Sequence, residues 1–175
     1  MTMNDLQRSA VIASLVRAFR AEDLFCGETH VQKSVFLLQG LLGVDLGFDF
    51  ILYKYGPFSF ELQNHLTKMR ADDMLAVKAL GYAATFDVGP QIEYLEKNLP
   101  KTIDRTRDAI NFAVEHLGRL GVKQLEPLAT ALYFTKQCPK ESVSKRALLI
   151  REVKPHISTE EAENAVKTID GWRDQ

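Results

Sequence analysis

The sequence predicts a mainly helical α+β fold, a helical domain carrying a small antiparallel β-hairpin sheet. Three features predict it. Apolar residues recur at helical spacing through most of the 175 residues. Two stretches, 48–55 and 74–88, break that period with aromatic and branched residues. Hydrophobic residues are 46% and charged ones 26% of the chain, enough for a core without disulfides or a metal.

The elements follow in order. The first helix is expected over about 5–20, with Asn4 as cap and Gln7 three residues on. Leu6, Ile12, Leu15, Val16 and Phe19 mark its apolar face. A second helix is expected over about 30–42, capped by Thr29 with Gln32. It is apolar around most of its girth and therefore central. FDFILYKY (Phe48–Tyr55) reads as a strand that stops at Gly56-Pro57, because Pro57 has no N–H for a ladder. That corner then sets the angle at which a third helix leaves, with Ser59 as its cap and Glu61 in its first turn. Leu62, Leu66 and Met69 face inward in this reading, and Gln63, Asn64, Thr67, Lys68 and Arg70 face water.

MLAVKALGYAATFDV (Met74–Val88) reads as a β-hairpin hinged at Gly81. After Gly89-Pro90 the chain is expected to be helical to its end. One helix covers about 100–120, between Pro100 and Gly121. Others cover 127–137, 143–153 after Ser142, and 159–172 opened by Ser158 and Glu161. The division is residues 1–90 as a core and 91–175 as a helical extension packed on it. Helix, helix, strand, helix and hairpin in succession give the first part a winged-helix-like order.

Charge and composition limit the function. Net charge is −1, and residues 1–90 carry 8 basic and 10 acidic side chains, so there is no general pull on nucleic acid. Residues 136–155 carry 6 basic against 2 acidic side chains. Opposite charge on sequential helices is commonly paired within the chain, so this block is expected to meet the acidic last helix. No apolar run is long enough for a membrane span, and the first residues lack the pattern of a secretory signal. Cys26 and Cys138 form no C-x-x-C and read as reduced thiols, which implies a cytoplasmic location.

Motifs for chemistry are sparse. The four histidines lie 35 or more positions apart, so no metal ligand spacing exists. Glu61 and His65 share a helix face, but two ligands are too few. Cys26 and His30 are spaced for a thiolate–imidazole pair, though a small hydrophobe in a loop explains Cys26 better. Phosphate-binding glycine motifs and G-x-S-x-G are absent. Asp72-Asp73 sits at a helix end, and Glu160-Glu161 is the first turn of the last helix. No cofactor and no catalytic residue is assigned.

HVQKSVFLLQGLLG (His30–Gly43) and YKYGPFSFEL (Tyr53–Leu62) resemble the Panacea antitoxin-like domain, associated with SocA, and the YwgA-like proteins related to it. The resemblance covers roughly residues 5–90. It implies a mostly helical fold with a small sheet, and an antitoxin that neutralises a partner toxin by binding it. The positions that match the family motif are Gln32, Lys33, Gln39, Tyr55, Gly56 and Pro57. Ser34 stands where the family usually has an apolar residue.

The expectation is therefore a non-catalytic protein that binds and masks a partner protein. The partner-binding candidates are Tyr53, Lys54, Tyr55 and Phe58 around the corner, and Gln63, Asn64, Thr67, Lys68 and Arg70 on the third helix. Phe60 belongs to the same cluster, and Phe58 and Phe60 are expected to pack inward. A homodimer is compatible with this reading. A small hydrolase or nuclease ranks third; the leading alternative is a winged-helix DNA-binding regulator. It would read a duplex with the same wet face of the third helix, Lys78 of the hairpin, and Lys54 beside Tyr53 and Tyr55.

Overall fold

A computed structural model describes residues 2–80 and 83–174. Gly81, the expected hairpin hinge, lies outside the described residues. Among those residues the fold is mainly helical, with eight helices and two small two-stranded antiparallel sheets. The order is α1 (Asp5–Ala21), α2 (Glu28–Gly40), β1 (Ile51–Tyr53), β2 (Gly56–Phe58), α3 (Phe60–Ala71), β3 (Leu75–Leu80) and β4 (Ala83–Val88). Then come α4 (Ile92–Asn98), α5 (Pro100–Leu117), α6 (Val122–Gln137), α7 (Val143–Val153) and α8 (Thr159–Arg173). No described helix is long and apolar enough to cross a membrane.

α1 opens as expected. Asn4 accepts from the Gln7 amide at 3.0 Å, and the Gln7 side chain accepts from the Asn4 amide at 3.0 Å. α2 does not. It starts two residues before the expected position, with Gly27 as N-cap and no side-chain cap. Gln32 cannot close a box with Thr29, because its side chain is engaged by Ser59. The amide of Gln32 donates to the Ser59 carbonyl and accepts from the Ser59 N–H, both at 3.0 Å.

The strand expected over 48–55 shrinks to Ile51–Tyr53 for a related reason. Gln39 of α2 takes both backbone groups of Phe48, donating to its carbonyl at 3.0 Å and accepting from its N–H at 2.9 Å. A side chain thus occupies the place a neighbouring strand would fill. Gly56-Pro57 does not end that strand either. The chain turns at Lys54-Tyr55, and Gly56 and Pro57 begin the return strand, with Tyr53 opposite Gly56 and Leu52 opposite Pro57. Gly56 has φ +86°, a region that glycine occupies without a Cβ clash. A residue here with a side chain would also place its Cβ 3.1 Å from Thr130 Oγ1.

Ser59 caps α3 through the Leu62 amide at 3.1 Å. Leu62, Leu66 and Met69 are buried, and Gln63, Asn64, Thr67, Lys68 and Arg70 are exposed, as the spacing predicts. The 74–88 hairpin forms in register from Leu75 opposite Val88 to Leu80 opposite Ala83. It makes its own sheet, separate from β1–β2.

The helix expected over 100–120 ends at Leu117. Gly121 begins the next helix rather than closing this one. The Gln124 side chain accepts from the Gly121 amide at 3.0 Å, so α6 nucleates five residues before the expected start and carries Pro127 within it. The short α4 between Pro90 and Pro100 is a further element. α7 and α8 match their expected spans closely, with Ser142 and Ser158 as caps.

The core draws on both halves of the chain. Ile12, Leu15, Phe19 and Leu38 are fully buried, as are Ile150 and Ile169 from the C-terminal helices. α1 packs on α4 and α5, α2 on α5 and α6, and α6 on α7 and α8. α2 is therefore central, as its apolar girth predicts. The basic block is drawn inward at one point: Arg146 forks onto Asp170 of α8 at 2.7 and 2.6 Å and also reaches Thr135 at 2.9 Å.

Candidate functional site

The site is built on α2. Three of its side chains hold the chain that runs antiparallel beside it. Gln39 holds Phe48 and Gln32 holds Ser59. Lys33 donates to the Pro57 carbonyl at 2.7 Å. All three are motif positions, and all three act on backbone.

The far side of the β1–β2 turn is held from the C-terminal half. Lys154, at the end of α7, donates to the carbonyls of Tyr53 at 2.7 Å and Lys54 at 2.5 Å. Its ammonium also lies 3.2 Å from Glu126 Oε1 of α6. That contact lacks the angle of a hydrogen bond, so charge alone holds Oε1. Glu126 Oε2 meets His156 Nε2 at 3.1 Å. Thr130, one turn on, donates to the Glu126 carbonyl at 2.7 Å and lies against Gly56. Lys33, Lys154 and Glu126 are 3%, 6% and 6% exposed, so two cations and one carboxylate lie buried beneath one short turn. Burial pushes the Lys33 amine down to about 8, partly offset by Glu126 and reinforced by Lys154.

Above this base the turn is open. Tyr53 and Tyr55 are each 52% exposed, and Ile51 and Phe60 are also exposed. Phe60, expected to pack inward, stands at the surface. It meets Tyr53 and Phe58 edge-on with ring centres 5.4 and 5.1 Å apart, so aromatic neighbours replace core contacts. Phe58 is half-buried. Lys54 lies 5.4 Å above the Tyr55 ring.

A cleft of about 280 Å³ opens between this turn and the first turns of α2 and α3. It brings together Tyr53, Lys54, Tyr55, Phe58 and Gln63 of the partner-binding candidates with Gln32, Lys33 and Gly56 of the motif. Asn64, Thr67 and Lys68 lie elsewhere on the exposed face of α3. Lys68 pairs with Asp5 at 3.0 Å and Thr67 donates to the Gln63 carbonyl. Arg70 borders a separate hollow beside β3 and β4. Gln39 and Pro57 serve the base of the turn rather than its surface.

Sequence reasoning missed Lys154, Glu126, Thr130 and His156. Lys154 belongs to the basic block of residues 136–155, and Glu126 falls just before the helix expected over 127–137. Nothing in the local pattern marks either as buried.

The residues weighed for nucleophilic or metal chemistry serve packing and pairing within the fold. Cys26 is fully buried, and burial pushes its thiol up to about 12, far from a reactive thiolate. His30 bonds the Leu120 carbonyl at 2.8 Å through Nε2. Glu61 pairs with Arg8 at 2.8 Å, while His65 bonds Ser9 at 3.0 Å, so the two do not converge. Among the described residues, no three His, Cys, Asp or Glu side chains are placed to hold a metal. No family model matches the chain, and no curated protein matches it.

Proposed function

We propose that this chain is a non-catalytic binding protein that presses the Tyr53–Phe60 surface against a partner protein and masks it, in the manner of the Panacea-type antitoxins it resembles. One observation carries the reading: half-exposed aromatics sit on a turn whose carbonyls are gripped by a buried lysine. Burying Lys33, Lys154 and Glu126 is destabilising in itself, and apolar packing would hold the helices together at least as well. Aromatic anchors bind best when their positions are fixed beforehand, because little freedom is then lost on association. A pinned aromatic turn meets that requirement.

The rival reading is a winged-helix regulator docking α3 on DNA, with the β3–β4 hairpin as wing. It has less support. Lys68 is matched by Asp5 and Lys78 by Asp87, so much of the positive charge on that face is already neutralised within the molecule.

The test is co-expression with the product of the adjacent reading frame, followed by purification of a complex. The reading expects a stoichiometric complex that Tyr53→Asp and Tyr55→Asp each abolish without loss of fold. A complex indifferent to both substitutions, or salt-sensitive duplex binding with no protein partner, would overturn it.

A further inference from the structure

The cleft beside the turn has a definite chemical bias. Its walls are aromatic, supplied by Tyr53, Tyr55 and Phe58. Its charged residues are Lys33, Lys54 and Glu28. Lys33 makes one hydrogen bond, to Pro57, although an ammonium carries three protons. Glu126 attracts it but does not bond it, and Lys154 repels it. A Cβ at position 56 would stand 3.7 Å from Lys33 Cε, so Gly56 lies against the stem of this lysine at the floor of the cleft. Lys54 is exposed and lines the same cleft, with its ammonium over the Tyr55 ring.

We propose that this cleft receives an acidic side chain of the partner protein, its carboxylate between Lys33 and Lys54 and its methylene stem against the aromatic walls. The inference rests on the binding function proposed above and names the chemistry of the anchor. Two features select a carboxylate over a phosphate. Arginine, the usual fork for phosphate, is absent from the lining. Exposed Glu28 shares the cleft and repels a dianion more than a monoanion.

The test needs no knowledge of the partner. The full chain carrying ¹³C-labelled lysine is titrated with the capped peptide Ac-Ala-Glu-Ala-amide, its glutamine counterpart, and inorganic phosphate, while the Lys33 Cε resonance is followed. The glutamate peptide should move that resonance saturably and the glutamine peptide should not. Glu28→Gln should tighten the glutamate peptide about threefold and Lys54→Ala weaken it about threefold, the range of exposed charge pairs. Both substituted side chains are exposed, so the fold is not at stake. A silent Lys33, an equal response to the glutamine peptide, a response to phosphate alone, or affinities indifferent to both substitutions would overturn the proposal. If the partner complex forms through Tyr53 and Tyr55 while Lys33 stays silent, the anchor is wrong and the binding function stands. If Lys33 responds as expected but no complex depends on those tyrosines, the anchor stands and the masking reading fails.

Discussion

The ammonium of Lys154 lies 2.7 Å from the carbonyl oxygen of Tyr53, a residue 101 positions earlier in the chain. This contact ties the last third of the protein to the turn that displays Tyr53 and Tyr55. It also makes the turn's geometry depend on Glu126, which holds the lysine's charge from the other side.

Removing that lysine should be strongly destabilising. Lys154→Met takes the donor from two carbonyls and leaves the buried Glu126 without its 3.2 Å ammonium partner, with Lys33 as its remaining lysine neighbour. Breaking a buried pair in this way costs about 3–5 kcal/mol. Urea unfolding of the variant should show that loss. Lys154→Met combined with Glu126→Gln should recover at least about 1 kcal/mol, because the stranded charge is gone.

Gln32→Leu keeps the volume at that position but orphans the buried N–H and C=O of Ser59. Two unsatisfied groups cost about 2–4 kcal/mol together. Gln63→Ala, on the exposed face of α3, should change stability by less than about 0.5 kcal/mol. Parallel denaturation curves check the contrast. Equal effects would mean that the α2 clamp holds nothing.

The elements of the fold were largely legible in sequence, and the clamps were not. Apolar period and capping residues placed α1, α3, α7, α8 and the β3–β4 hairpin, because those are local signals. Gln32, Gln39 and Lys33 look like the polar positions of a helix, yet two are buried and one half-buried. Their partners lie 9 to 27 residues away, and no local pattern records such a pairing. The same limit hid the early start of α6, where a cap at Gly121 outweighs the helix-breaking tendency of Pro127. Of the candidate site, the exposed tyrosines and the wet face of α3 were legible, whereas Lys154 and Glu126 become neighbours of the turn only in the folded chain.

Stability should depend on pH with a known sign. Burial pushes the Lys33 amine down from 10.5 to about 8, so between those values the unfolded chain binds more protons than the folded one. Stability contributed by this group is fully present above 10.5 and lost as pH falls through about 8, an effect of up to about 3 kcal/mol. Cys26 acts in the opposite sense. Its thiol is raised from 9.0 to about 12, so its contribution fades as pH climbs above 9. The window from about pH 7.5 to 9 therefore isolates Lys33, and stability should rise across it in the native chain and stay flat in Lys33→Met. On the acid side, burial lowers both His30 and His65 below 6.5, so stability should also fall as pH drops below that value.

Thiol chemistry separates the two cysteines. Cys138, half-buried at the end of α6, should react with an aromatic disulfide reagent in the native protein. Cys26 should stay silent until denaturant is added. One thiol before unfolding and two after is the expected count, and two rapid native thiols would contradict the packing around Cys26.

The most direct measurement is ¹⁵N relaxation of the Lys54 and Tyr55 amides in the native chain and in Lys154→Met. A pinned turn should give order parameters of about 0.8 or more, close to the flanking helices, falling markedly in the variant. Native values below about 0.6, or no change on losing the lysine, would show that the turn is a loose loop and that the buried cations do not prepare it for a partner.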